Sequence, residues 1–157
     1  MKIRNDGTVS RLLKDVPLPK MFHAAQKFSD RHIDREDIQK AIFEEIDRAK
    51  MGERIKPGMR IAITAGSRGI RNVDEITRSV AAYVRARGAT PFIVPAMGSH
   101  GGATAEGQRE MLAGYGITEE TMGCEIRSSM ETVLLGYSEL GKPVYMDKNA
   151  YESDGVI

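Results

Sequence analysis

The stretch RIAITAGSRGIRNVDEITRSVAAYVRARGATPFIVPAMGSHGGATAEGQREM, residues 60–111, decides how this chain is read. Ile61-Ala62-Ile63 is an apolar run too short for a helix and reads as a buried strand. Residues 66–69 form a glycine-containing turn, and residues 72–87 a helix with Ile76, Val80, Ala81 and Val84 facing in and Arg78, Arg85 and Arg87 facing out. Gly88 caps that helix. The pattern then repeats: a strand at 91–94, a glycine-rich loop at 98–102, and a helix capped by Thr104 that runs to around Ala113, where Gly114 and Gly116 break it. Repeated strand–turn–helix units predict an α/β fold, a Rossmann-like open sheet with a parallel core and helices on its faces. In such a sheet both turns lie at the carboxyl ends of the strands, where ligands bind.

Upstream, residues 34–51 carry Ile38, Ala41, Ile42, Ile46 and Ala49 at helical spacing, with Asp34 as N-cap, Glu36 and Asp37 in the first turn and Gly52 as the stop. Glu44 and Glu45 sit about one turn from Arg48 and Lys50, so that face is read as solvated scaffold. Lys56-Pro57-Gly58 is a turn. Residues 1–18 read as a short helix or irregular arm ending at Pro17 and Pro19, and residues 20–28 as a strand or extended segment. His23 has no metal-ligand spacing around it and is read as a partly exposed strand histidine; His32, just before a helix start, as solvated.

Downstream the chain looks less regular and more antiparallel. Residues 125–127, 131–137 and 143–146 read as short strands, the last two joined as a hairpin by residues 138–142. Residues 148–153 suit one helical turn, and Asp154-Gly155-Val156-Ile157 looks like the opening of a strand. That ending suggests one amino-terminal α/β domain, residues 1–157, belonging to a longer protein.

Composition narrows the function classes. A formal net charge of +1 argues against bulk electrostatic binding to nucleic acid or an anionic membrane. A single cysteine, Cys124, excludes a disulfide framework, a zinc knuckle or an iron–sulfur site made by this chain alone. The start has no apolar signal-like region and no run reaches membrane-spanning length, so a cytoplasmic protein is expected. Nine methionines without tryptophan suggest an adaptable core.

The candidate chemistry lies in the two loops. After the first strand, unpaired amides at the start of the next helix favour an anion. Gly66 and Gly69 let a ligand come close to the backbone, Ser67 adds a hydroxyl, and Arg68 a planar fork for a carboxylate or phosphate. The spacing is neither that of the dinucleotide fingerprint nor of the P-loop. The plainer alternative makes Arg68 a surface residue on a structural turn. In the second loop, Ser99 and His100 stand among Gly98, Gly101 and Gly102. Such a histidine is usable as acid or base. The plainer alternative is a histidine that caps the helix or bonds a backbone carbonyl. A Ser99–His100 hydrolase is disfavoured, because adjacent residues seldom present their side chains to each other.

The segment GSHGGAT-AEGQREM, the preceding ITAGSRGI loop and the upstream PKMFHAAQKF…HI run resemble the amino-terminal region of the nickel-dependent lactate racemase family, from about Pro19 to Ile157. The resemblance implies racemisation or epimerisation of a small-molecule α-hydroxy acid by hydride transfer to and from a nickel-pincer nucleotide. His100 would be the first acid/base histidine, and Arg68 the arginine near substrate or cofactor. Ser67, Gly69, Ser99, Gly101 and Gly102 complete the set expected to touch substrate or cofactor. No metal ligand is assigned to this chain: the residues that attach the nickel group are expected outside it. Two positions depart from the pattern, Ala65 where the family's loop has aspartate and Gly101 where the lactate-type enzyme has arginine. A reading from a different class is a non-catalytic anion- or nucleotide-binding module. An open sheet edge paired with a second copy, making a homo-oligomer, is a third.

Overall fold

A computed structural model describes residues 7–17, 20–29 and 31–157, with Ser10 described by its backbone alone. Two compact units are distinguished, one up to His32 and one from Ile33 to Ile157. In the first, α1 (Thr8–Leu12) is a short helix, as expected of the arm. Of the arm's expected end at Pro17 and Pro19, Pro17 is exposed and in no helix, and Pro19 lies outside the described residues. Residues 20–29 form no strand and are exposed throughout, Met21 to 92% and Phe22 to 86%. A strand needs a ladder partner and an apolar face to cover, and among the described residues of its own unit this segment has neither. His23 is accordingly exposed, but not in a strand.

The second unit is built on a four-stranded parallel sheet, ordered β3-β2-β1-β6. Strands β1 (Arg60–Ala65) and β2 (Thr90–Pro95) form its centre. They pair in register from Arg60 beside Thr90 to Ala65 beside Pro95. Their carboxyl ends are therefore level, and the loops that follow leave the sheet side by side. β3 (Glu125–Ile126) pairs parallel to β2, which corrects the antiparallel reading of that segment. β6 (Gly155–Val156) pairs parallel to β1 on the opposite side.

Alternation along the strands sends side chains to two faces. Ile61, Ile63, Ala65 and Ile93 point to the larger core, where they meet Ala81 and Val84 of α3 (Val73–Ala86), Leu112 of α4 (Ala105–Gly114) and Met122 of α5 (Glu119–Met122). Ala62, Phe92 and Val94 point the other way, onto Ala150 of α6 (Lys148–Tyr151) and Met146 of β5 (Pro143–Asp147). β5 forms an antiparallel hairpin with β4 (Thr132–Tyr137), as the spacing predicts. α5, which the sequence reading does not include, is a single turn fixed by a reciprocal cap between Thr118 and Thr121. Among the described residues no helix is long and apolar enough to cross a membrane.

The helix expected over 34–51 is shorter and segmented. A 3-10 turn at Arg35–Asp37 leads into α2 (Ile38–Arg48), and Asp34 makes no side-chain cap bond. Lys50, at φ 56°, breaks the chain before a second 3-10 turn at Met51–Arg54. Gly52 is therefore not the stop. It is buried where an added Cβ would collide with the Tyr83 hydroxyl and Arg87, so packing selects it. Of the expected stripe, Ile38 is buried, Ala41, Ile42 and Ile46 are half-buried, and Ala49 is exposed. Phe43 meets Tyr83 edge to face at 5.0 Å instead. α4 includes Gly114, so the break falls at Gly116, with φ 78°.

Candidate active-site cleft

The two loops line one open cleft of about 540 Å³ at the carboxyl ends of β1 and β2. Gly66, Ser67, Arg68 and Ile70 come from the first loop, Met97, Gly98, Ser99 and His100 from the second. Val73, at the start of α3, adds an apolar wall.

The second loop is tightly formed. Gly98, Gly101 and Gly102 have φ of 60°, 63° and 69°, a region that L side chains avoid. Gly101 also lies against the first turn of α4, where an added Cβ would stand 2.5 Å from Gly107 C and 2.6 Å from Gln108 N. Position 101 therefore accepts no side chain in this geometry. Thr104 caps α4 as expected, its Oγ1 accepting from Gly107 N at 3.0 Å and donating to Gly101 O at 3.1 Å. Gln108, 2% exposed, donates from Nε2 to Gly98 O at 2.8 Å and to His100 O at 3.3 Å. One buried amide thus ties down the carbonyls on either side of Ser99.

The first loop is held by fewer contacts. Tyr115 Oη donates to Ser67 O at 2.8 Å. Gly66 and Gly69 have ordinary φ, and nothing lies within 4 Å of a Cβ added at either. Neither conformation nor packing therefore requires glycine at these two positions, and of the two only Gly66 lines the cleft. The amides of Ser67, Arg68, Gly69 and Ser99 make no backbone hydrogen bond among the described residues, leaving donors for solvent or ligand.

The side chains divide sharply. Ser67 and His100 are half-buried, and Ser67 Oγ is hydrogen-bonded to His100 Nδ1 across the loops. His100 therefore neither caps the helix nor bonds a backbone carbonyl through its ring. Ser99 is exposed and makes no side-chain hydrogen bond among the described residues, so the serine brought to His100 is not its neighbour in sequence. Arg68 is exposed and has no ion-pair or hydrogen-bond partner among the described residues, while Gly69 and Gly102 are exposed and Gly101 is half-buried. Ala65, the position without the loop aspartate, is a 2% exposed core residue of β1. Among the described residues, no group of three or more His, Cys, Asp or Glu is arranged to hold a metal ion.

The sequence reading misses Gln108, Tyr115 and the Ser67–His100 pairing. A signal exists for Gln108: it lies one turn before Leu112 on the face that α4 buries, and a polar residue there needs a partner. Ser67 and His100 are 33 residues apart, and only the strand register brings them together. A slightly larger hollow, about 570 Å³, lies where the chain enters β1 and leaves α3. Its Arg87 is already engaged by Asp47 and stacked over Tyr83, and it holds no histidine.

Comparison with curated proteins and with solved structures gave no match. Comparison with protein-family models matches residues 6–157 to the lactate racemase N-terminal domain. The match spans nearly the whole chain, including the parallel sheet and both of its loops, and the chain belongs to the lactate racemase N-terminal domain family.

Proposed function

We propose that this domain supplies the substrate-holding and acid–base part of an α-hydroxy-acid racemase or epimerase. The observation that carries the reading is one cleft lined by both an arginine without a partner among the described residues, Arg68, and a histidine, His100, on loops from adjacent parallel strands. Inversion at a carbon bearing a hydroxyl and a carboxylate needs a clamp for the carboxylate and a base for the hydroxyl proton. The Arg68 guanidinium holds the carboxylate by two parallel bonds, aided by loop amides. His100 takes the hydroxyl proton and returns it. Ile70, Val73 and Met97 give the rest of the substrate an apolar wall.

Removing hydride from the same carbon is cofactor work, which no side chain performs. The family resemblance names a nickel-pincer nucleotide for it. Among the described residues no group of three or more His, Cys, Asp or Glu could hold a metal ion by side chains alone, so the part of the chemistry this cleft supplies is the clamp and the base. By the same resemblance, the residues that attach the hydride-accepting group are expected outside this chain.

Replacing His100 with alanine in the active protein is expected to slow inversion of at least one enantiomer by about 100-fold or more. Unchanged rates in both directions would sink the assignment. The unpaired arginine and free amides also suit a non-catalytic anion-binding module. In that case carboxylate affinity depends on Arg68 and not on His100, as it does for the enzyme, and the readings are separated by turnover. His100→Ala that keeps carboxylate affinity but loses inversion supports the enzyme, and a parent protein that binds carboxylate without inverting it supports the module.

A further inference from the structure

We infer that Ser67 is a positioning residue that sets which nitrogen of His100 works as the base. The inference rests on the acid–base reading of His100, but its key observable does not require activity. A neutral imidazole carries one proton, and the nitrogen that lacks it is the base. The Nδ1 of His100 is engaged by Ser67 Oγ, and no partner of Nε2 occurs among the described residues. A serine hydroxyl can accept through its lone pairs while its own hydrogen turns elsewhere. With Ser67 accepting from Nδ1–H, the proton is kept on Nδ1 and the lone pair on Nε2. When His100 takes up the substrate's proton, Nδ1–H still donates to the same oxygen, so the ring need not reorient between the two charge states.

The pair is framed from outside. Tyr115 donates to the backbone carbonyl of Ser67 and Gln108 to that of His100. Gln108 belongs to α4 and Tyr115 is its C-cap, so one helix fixes the spacing of two residues on separate loops. Arg68, next in sequence to Ser67, is left exposed for a ligand. The first loop thus divides its work: Ser67 serves the base and Arg68 serves the anion.

The test reads the tautomer directly, by two-bond proton–nitrogen correlation on the full-length ligand-free protein labelled with nitrogen-15. It is run at about pH 8, where imidazole is neutral, with the His100 signals identified by their loss in His100→Gln. Expected is the Nδ1–H form in the parent protein, a return in Ser67→Ala to the Nε2–H-rich mixture of free histidine, and retention of Nδ1–H in Ser67→Thr. In turnover, Ser67→Ala is expected to lower kcat about tenfold with KM little changed, the scale of losing a histidine's orienting partner, and Ser67→Thr to restore it. Finding Nε2–H in the parent protein would overturn the inference, because Ser67 would then be donating to Nδ1, the arrangement of a nucleophile. An unchanged tautomer or an unchanged kcat in Ser67→Ala would overturn it as well. Failure of the acid–base reading itself shows separately, as full activity in His100→Ala.

Discussion

The loop after β1 and the loop after β2 look alike in sequence, each small-residue-rich and each opening a helix, yet the fold treats them differently. The second is locked: three glycines at positive φ, Gly101 against α4, and the buried Gln108 amide on two of its carbonyls. The first has glycines that the fold does not require, a carbonyl tied by Tyr115, and an arginine without a partner among the described residues. Under the proposed function the contrast has a use: a base must be held in one place, since a small displacement of a reacting group costs much of its rate, whereas a recognition arginine can be freer. The difference teaches that two glycine-containing loops of similar sequence need not owe their glycines to the same cause: backbone conformation and packing require them in the second loop and not in the first.

That contrast can be broken by substitution. Gly101→Ala should be the most damaging, because positive φ costs roughly 1–2 kcal/mol and the collision with α4 adds overpacking of about 1–3 kcal/mol. Chemical denaturation would read the loss, and a stability change below about 0.5 kcal/mol, ordinary for a neutral surface site, would refute the locked loop. Gln108→Ala comes next, at about 1–3 kcal/mol for the carbonyls left unpaired. It should also raise amide exchange in residues 98–100, which a purely structural loss elsewhere would leave alone. Tyr115→Phe removes one hydroxyl and should cost about 1 kcal/mol. Gly66→Ala and Gly69→Ala should change stability by no more than about 0.5 kcal/mol, while Gly66→Ala, whose site lines the cleft, should weaken carboxylate binding by crowding it.

Acid sharpens the same comparison. Asp74, in the first turn of the helix after the first loop, is held below the usual carboxylate range, first by its hydrogen bond from Arg35, then by the backbone amide of Glu75 and the charge of Arg35. A depressed carboxylate stabilises the fold fully above its unfolded value and loses that contribution as pH falls through its folded value. Amide exchange at the start of α3 should therefore rise below about pH 3.9, the ordinary aspartate value. Neutral amide and hydroxyl bonds tie the second loop, so its exchange should not follow the same acid limb. Parallel loosening of both loops would show that they are one unit.

Much of this protein was legible in residues 60–111. Apolar runs of strand length alternating with helical stripes specify the repeated unit, and Thr104 and Gly88 punctuate its helices where expected. These are local effects of backbone preference and periodicity. Legibility failed where partners lie far along the chain. Residues 20–28 have strand-like composition but no ladder, β3 takes its direction from β2, and Gly52 is fixed by Tyr83.

By itself the sequence determined the strand–loop–helix units, the candidate residues Arg68 and His100 in their loops, and the family. Tertiary structure alone decided which serine meets His100, which glycines are obligatory, and that α4 spaces the two loops. The physical reason is range. Propensity and periodicity act over one or two turns, whereas Ser67 and His100 meet because Ala65 and Pro95 stand level in neighbouring parallel strands.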